Sequence, residues 1–287
     1  MPSTLQTSRA SKAVVLRSGD QVSALGLGTW LFGENPDTRA EEIATLRLAL
    51  DLGVTLIDTA EMYGDGISES LIGEAISDRR EEVFIVSKVY PHNASLRAMP
   101  VACDRSLRRL RTSWIDLYLL HWRGNIALTE TVEAFMELQR LGRIRSWGVS
   151  NFDVDDMAEL WTVPGGRDVV TDQILYNLSR RGSEWDLIPW LRQHRIAIMA
   201  YSPIEQARLV RDPRLVEFAF RYDMTPAQAA LAWLLSKKDL IAIPKTGHRS
   251  RLLENVEALG IRLSPKQLQE LDLLFPPPDG PRPLEML

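Results

Sequence analysis

Asp58, Tyr63, Lys88 and His121 are the side chains with which this sequence could move a proton. Asp58 closes the apolar run GVTLI, and Tyr63 follows it in DTAEMYGDG with Glu61 between them. Lys88 ends the run VFIVS, where an unpaired ammonium would be costly to bury, so it needs a counter-charge, and Asp58 on the adjacent strand can supply it. A phenol ionises near pH ~10, which makes it a sluggish acid at neutral pH. A lysine cation beside it would stabilise the phenolate and lower that value. In this constellation Asp58 holds the lysine, His121 orients a carbonyl oxygen or shares its proton, and Tyr63 protonates an oxyanion as it forms. The set brings no electron pair, so it implies a bound hydride donor. Taken singly, each residue has a plainer reading: Asp58 as a turn residue, Tyr63 as packing, His121 as a satisfied core group. Glu61 carries no assigned chemistry.

These residues need elements that bring their strand ends together. Short β-rich runs alternate with helical patterns along most of the chain. TLIDTA (55–60), VFIVSKV (83–89) and IDLYLLHW (115–122) read as strands, as do IRSWGVSNF, VVTDQILYN, IAIMAYSP and LIAIPKTG. SESLIGEAISDR has helical period. SLRAMPVACDRSLRRLR is helical with Pro100 in its first turn. TETVEAFMELQRLG opens with a threonine cap and stops at Gly142. From Leu25 onward about eight strand–helix units follow one another, the number a (β/α)₈ TIM barrel requires. Before them, Ala13 to Trp30 holds two apolar runs around a Ser18-Gly19-Asp20 turn, an N-terminal β-hairpin. The rival is an open doubly wound sheet with a Gly-rich turn after its first strand. GLGTWLFG is a poor version of that turn, and continuous apolar strands suit the barrel. The expected division is a flexible start over 1–12, one barrel domain over 13–275, and a Pro-rich tail over 276–287 lying on the surface.

Other features narrow the function classes. A net charge of −4 over 287 residues gives no reason to expect nucleic acid or an anionic membrane as partner. The single cysteine, Cys103, excludes an internal disulfide framework. No apolar run approaches a membrane span, and the opening MPSTLQTSRASK has no secretory h-region, so a cytoplasmic protein is expected. His92, His121, His194 and His248 are scattered without metal-binding spacing, and no metal is expected.

Further candidates stand at the later strand ends. Ser150, Asn151 and Gln173 follow or end strands five and six, and an amide side chain offers both donor and acceptor. Lys245 and Arg251, in KTGHRSRLLEN after strand eight, supply two cations for one anionic group where barrels commonly bind phosphate. A basic helix start is unfavourable unless an anion is present. Trp30, Tyr90 and Trp122 directly follow strand ends one, three and four.

Together GLGTW, DTAEMYG…SESLIGEAI, VFIVSKV, DLYLLHW, GRIRSWGVSNF, QILYNL, AYSP and IPKTGHRSRLLENV resemble the aldo-keto reductases, in their bacterial short-loop form, from about Val15 to Leu274. The resemblance implies NADPH-dependent, reversible reduction of aldehydes and ketones by a monomer. It matches Asp58, Tyr63, Lys88 and His121 to the family's catalytic tetrad, with Tyr63 as general acid. It implies that Ser150, Asn151 and Gln173 bind the nicotinamide carboxamide, that Tyr201 stacks on the ring, and that Ser202 and Leu209 also bind cofactor. Lys245, Thr246 and Arg251 would grip the 2′-phosphate, favouring NADPH over NADH, while Glu254 and Asn255 read the adenine. Trp30, Tyr90 and Trp122 would line a substrate pocket left open by the short loops. One departure stands out: where the family has a Gly-rich loop, this chain reads IEQARLV, and Glu205 must point away from any phosphate. Two other classes remain, a non-catalytic NADP(H)-binding sensor and a Schiff-base lyase using Lys88.

Overall fold

The computed structural model of the protein describes residues 12–287, so the flexible start expected over 1–12 lies, Lys12 apart, outside the described residues. Ala13–Val15 (β1) and Gln21–Ser23 (β2) pair antiparallel, and Gly19 takes the left-handed φ of 93° that their connecting turn requires. Eight parallel strands follow: β3 (Leu27–Gly28), β4 (Leu56–Asp58), β5 (Phe84–Val89), β6 (Ile115–Leu120), β7 (Ile144–Ser150), β8 (Thr171–Leu175), β9 (Ala197–Tyr201) and β10 (Leu240–Ala242). Their spatial order is their sequence order. Bridges Leu25–Ala242 and Gly28–Lys245 join the two ends of the sheet into a barrel. GLGTW therefore serves the seam. A Cβ on Gly26 would stand 2.5 Å from Leu56 Cδ2 and 3.0 Å from Ile243 Cγ2, so only glycine lets the strands close there.

Among the described residues ten α-helices accompany the strands: α1 (Arg39–Asp51), α2 (Ile67–Ala75), α3 (Ala98–Leu110), α4 (Leu128–Arg140), α5 (Val154–Thr162), α6 (Leu187–Gln193), α7 (Pro213–Arg221), α8 (Pro226–Leu235), α9 (Arg249–Glu257) and α10 (Pro265–Leu274). Local chemistry sets several starts. Asp153, Thr225 and Ser264 each form a capping box, and proline takes the first turn after the latter two. One expected start moves. The helix read as opening on a threonine cap begins at Leu128 after an Ala127 N-cap that makes no side-chain bond. β6 and β8 are buried along their whole length, as strands covered on both faces must be. Among the described residues no helix is long and apolar enough to cross a membrane.

Register does the positioning. Asp58 pairs with Val86, and Lys88, two residues further on, shares the face of Val86. Lys88 pairs with Leu119, and His121 stands two residues beyond it. Gln173 pairs with Met199, and Tyr201 follows two later. The period of two thus aims all of these side chains at one mouth of the barrel.

Candidate active site

Lys88 is fully buried, and its Nζ donates to both Asp58 carboxylate oxygens at 2.9 Å, to Thr59 O at 2.9 Å and to the Tyr63 hydroxyl at 3.2 Å. The counter-charge that burial demands is therefore Asp58, as the sequence implied. Across the barrel, Gln173 Nε2 donates to Asp58 Oδ1 at 2.7 Å, a contact spanning 115 positions of sequence. Tyr63 opens a tight turn in which Gly64, Asp65 and Gly66 all have positive φ. Gly66 has the left-handed φ of 87° that favours glycine, and a Cβ there would have to displace the Arg109 guanidinium, 2.2 Å away. The turn swings the chain into α2 and leaves the phenol facing the barrel mouth.

Electrostatics refine the expected roles. Burial pushes the Tyr63 hydroxyl above its ordinary range; Lys88 pulls against that, but burial prevails. The expected lowering by Lys88 is thus present as an influence and does not set the net direction. For Lys88 itself burial pulls down, yet Asp58 and then Tyr63 together outweigh it, so the ammonium stays charged. Tyr63 is a neutral phenol beside a permanent cation at neutral pH.

His121 is 8% exposed, its Nδ1 has no hydrogen-bond partner among the described residues, and its ring meets that of Tyr63 edge-on at 6.1 Å. Burial, helped by Lys88, lowers its pKa from 6.5 to about 2. The ring is neutral and carries one N–H to offer an oxygen. An unfolded chain takes up this proton near pH 6.5 while the folded one does not, so stability must fall as pH drops through that value. By about pH 5 the loss should reach about 2 kcal/mol. Urea denaturation of the wild type and His121→Gln between about pH 7 and 5 checks this, and equal slopes would refute it.

A cavity of about 760 Å³ opens above these groups. Its wall includes Asp58, Tyr63, His121, Trp30 and Trp122, then Ser150, Asn151, Gln173, Tyr201 and Ser202, then Lys245, Thr246, Arg251, Glu254 and Asn255. Asn151, at φ 59°, donates to His121 O at 3.1 Å and accepts from Tyr201 OH at 3.0 Å. It is not the cap of α5, a role that Asp153 fills. Lys245 lies over the Phe32 ring, and burial is the largest influence lowering its pKa. Neither Lys245 nor Arg251 forms a salt bridge among the described residues. Two cations in one cavity with no salt-bridge partner among the described residues suit an anion.

Two expected wall residues stand elsewhere. Leu209, matched to a cofactor-binding position, has its apolar side chain packed in the hydrophobic core, while its neighbour Val210 lines the cavity. Tyr90 stands behind Trp122, edge-on at 5.9 Å, and stacks on His92. Nor is the whole tail on the outer surface: Met286 and Leu287 line the cavity, and the Leu287 N–H donates to Tyr201 OH at 3.3 Å. Glu205 does point away. It is buried, accepting from Arg180 Nη2 at 2.8 Å and Asn177 Nδ2 at 2.7 Å, and Arg180 also pairs with Glu285 of the tail. Lacking glycine, the loop nonetheless places Ser202, Glu205, Gln206 and Ala207 at positive φ, a conformation costing roughly 1 kcal/mol or more each. Sequence reasoning missed Arg211, a third cation on the wall with no salt bridge among the described residues. A second basic residue after an acidic loop was the only signal, and it is a weak one.

The aldo/keto reductase family model matches residues 24–274. Methylglyoxal reductase YeaE of Escherichia coli strain K12 is 47% identical over 276 residues, which are 94% of this chain and 97% of that protein. Methylglyoxal reductase DkgB of Escherichia coli O157:H7 is 29% identical, over 84% of this chain and 89% of its own. Among solved structures, an aldo/keto reductase from Klebsiella pneumoniae in complex with NADP and acetate superposes with a TM-score of 0.94 at 46% identity, covering 96% of this chain and 99% of that one.

Proposed function

The chain belongs to the aldo/keto reductase family, and on that premise we propose how its own residues carry NADPH-dependent reduction of aldehydes and ketones. The carrying observation is the buried Lys88 bonded to both Asp58 and Tyr63 at the floor of the large cavity. When bound, NADPH supplies the hydride that a carbonyl carbon needs. The chain supplies the rest. His121, neutral, donates to the carbonyl oxygen and holds it near the phenol. Tyr63 gives its proton to that oxygen as negative charge builds there. The phenolate left behind is balanced by Lys88, which Asp58 and Thr59 O keep in place, and it is reprotonated from solvent.

The residues fit the cofactor. Ser150, Asn151 and Gln173 cluster where a carboxamide can be read. Gln173 spends one N–H on Asp58 and keeps its carbonyl oxygen for a ligand donor. Tyr201 offers a ring for stacking. Lys245 and Arg251 await a phosphate, with Thr246, Glu254 and Asn255 beside them. The substrate class this reading favours is a short 2-oxoaldehyde, as the names of the methylglyoxal reductases suggest. Trp30 and Trp122 then form the apolar sides of its pocket.

The test is a carbonyl panel with NADPH and NADH, followed by absorbance of the reduced cofactor. Turnover with NADPH and short aldehydes is expected; tight NADPH binding with no turnover on any member would favour a sensor. Arg251→Ala should weaken NADPH binding by about tenfold or more, since a charged hydrogen bond contributes about 1.5–3 kcal/mol. NADH binding should be unchanged. Equal loss for both cofactors would remove Arg251 from the 2′-phosphate.

A further inference from the structure

Glu61 lies inside the motif that carries Asp58 and Tyr63, yet the mechanism above does not use it. It is 4% exposed and highly connected. Its Oε1 accepts from the Tyr90 backbone N–H at 2.8 Å and from Asn93 Nδ2 at 3.0 Å. Its Oε2 accepts from Arg105 Nη2 of α3 at 3.3 Å. Its own N–H donates to Lys88 O at 3.3 Å. The carboxylate thus joins the loop that presents Tyr63 to the turn Tyr90–Asn93 and to α3, while the Glu61 backbone N–H ties the same loop to the strand that presents Lys88.

That turn backs the substrate side of the cavity. The Tyr90 ring stands edge-on to Trp122, and Trp122 lies 4.9 Å from the His121 ring. A Cβ on Gly124 would stand 2.5 Å from Pro91 Cβ, so the loop following Trp122 is seated directly on this turn. Removing a buried acceptor that serves several donors leaves those donors unpaired and the turn free to shift.

We propose that Glu61 is a positioning residue for substrate: it sets the distance between Trp122 and the Tyr63–His121 pair and so selects short carbonyl compounds. It touches neither substrate nor cofactor and acts through Tyr90 and Trp122. The proposal rests on the carbonyl-reductase reading of this cavity.

Steady-state kinetics of Glu61→Ala on a short 2-oxoaldehyde and on a bulky aromatic aldehyde test it, with NADPH binding followed by fluorescence. KM for the short substrate should rise about tenfold with kcat within about twofold, because a wall has moved and the proton donor has not. The preference for short over bulky substrate should fall, and NADPH affinity should stay as in the wild type. Glu61→Gln, which keeps an acceptor for the Tyr90 N–H, should recover most of the KM. Asn93→Ala, milder for the fold, should shift KM in the same direction by less and serves if Glu61→Ala does not fold. An unchanged KM and substrate preference, or equal losses of kcat and NADPH affinity with thermal stability, would overturn it. Absence of turnover in the wild type would instead overturn the parent reading.

Discussion

Replacing Tyr63 by phenylalanine should lower kcat for aldehyde reduction by about 10²- to 10⁴-fold, the range a positioned general acid supplies. The change removes one hydroxyl and little else. Lys88 loses one acceptor, at 3.2 Å, and keeps Asp58 and Thr59 O at 2.9 Å. The fold and the NADPH site should therefore survive. Stopped-flow or steady-state rates, paired with fluorescence titration of NADPH, separate the two effects. Reduction by Tyr63→Phe within about tenfold of wild type would show that the acid is another group. A pH dependence follows from the same environment. Burial raises the Tyr63 pKa, so the phenol stays protonated through neutral pH and the reductive rate should decline only in alkaline solution. The sign is that of an acid needed in its protonated form.

Lys88→Met should be the most destabilising of the changes considered. It leaves Asp58 buried with the single amide donor of Gln173 at 2.7 Å. Breaking one side of a buried pair costs roughly 3–5 kcal/mol, because the remaining charge stays desolvated. The double change Lys88→Met with Asp58→Asn should recover part of that loss while staying inactive. Urea denaturation of the wild type, both single variants and the double closes the cycle. Losses that simply add would mean that the two residues do not act as a pair. The linkage also has a definite sign. The folded Lys88 pKa is raised, so its contribution to stability is complete below the ordinary lysine value of 10.5 and is lost as pH rises through the folded value.

Much of this site was legible because a parallel barrel obeys simple rules. Strand ends carry the chemistry, and side chains two apart share a face. Given Asp58, Lys88 and His121 at the ends of successive strands, their convergence needed only the correct register. The need of Lys88 for a counter-charge was likewise readable from its apolar run. Other features were not. GLGTWLFG reads as only a poor nucleotide-binding turn, but that its glycines form the barrel seam was not readable. Tyr90 was expected on the cavity wall and stands behind Trp122. Leu209, matched to a cofactor position, has its side chain packed in the core beside the cavity-lining Val210. Each depends on how two distant segments pack, and loop residues have no period from which a direction can be read.

By itself the sequence determined which groups can move a proton, the order of the strands that present them, and the cations available for a phosphate. Local period and the energetic cost of an unpaired buried charge are enough for that. Tertiary structure alone decided that Gln173 reaches Asp58 across the barrel, that Arg180 neutralises Glu205, that Leu287 rests against Tyr201, and that Glu61 ties three segments together. Those contacts come from barrel closure, which juxtaposes residues far apart in the chain, and short-range patterns carry no record of which of them will meet.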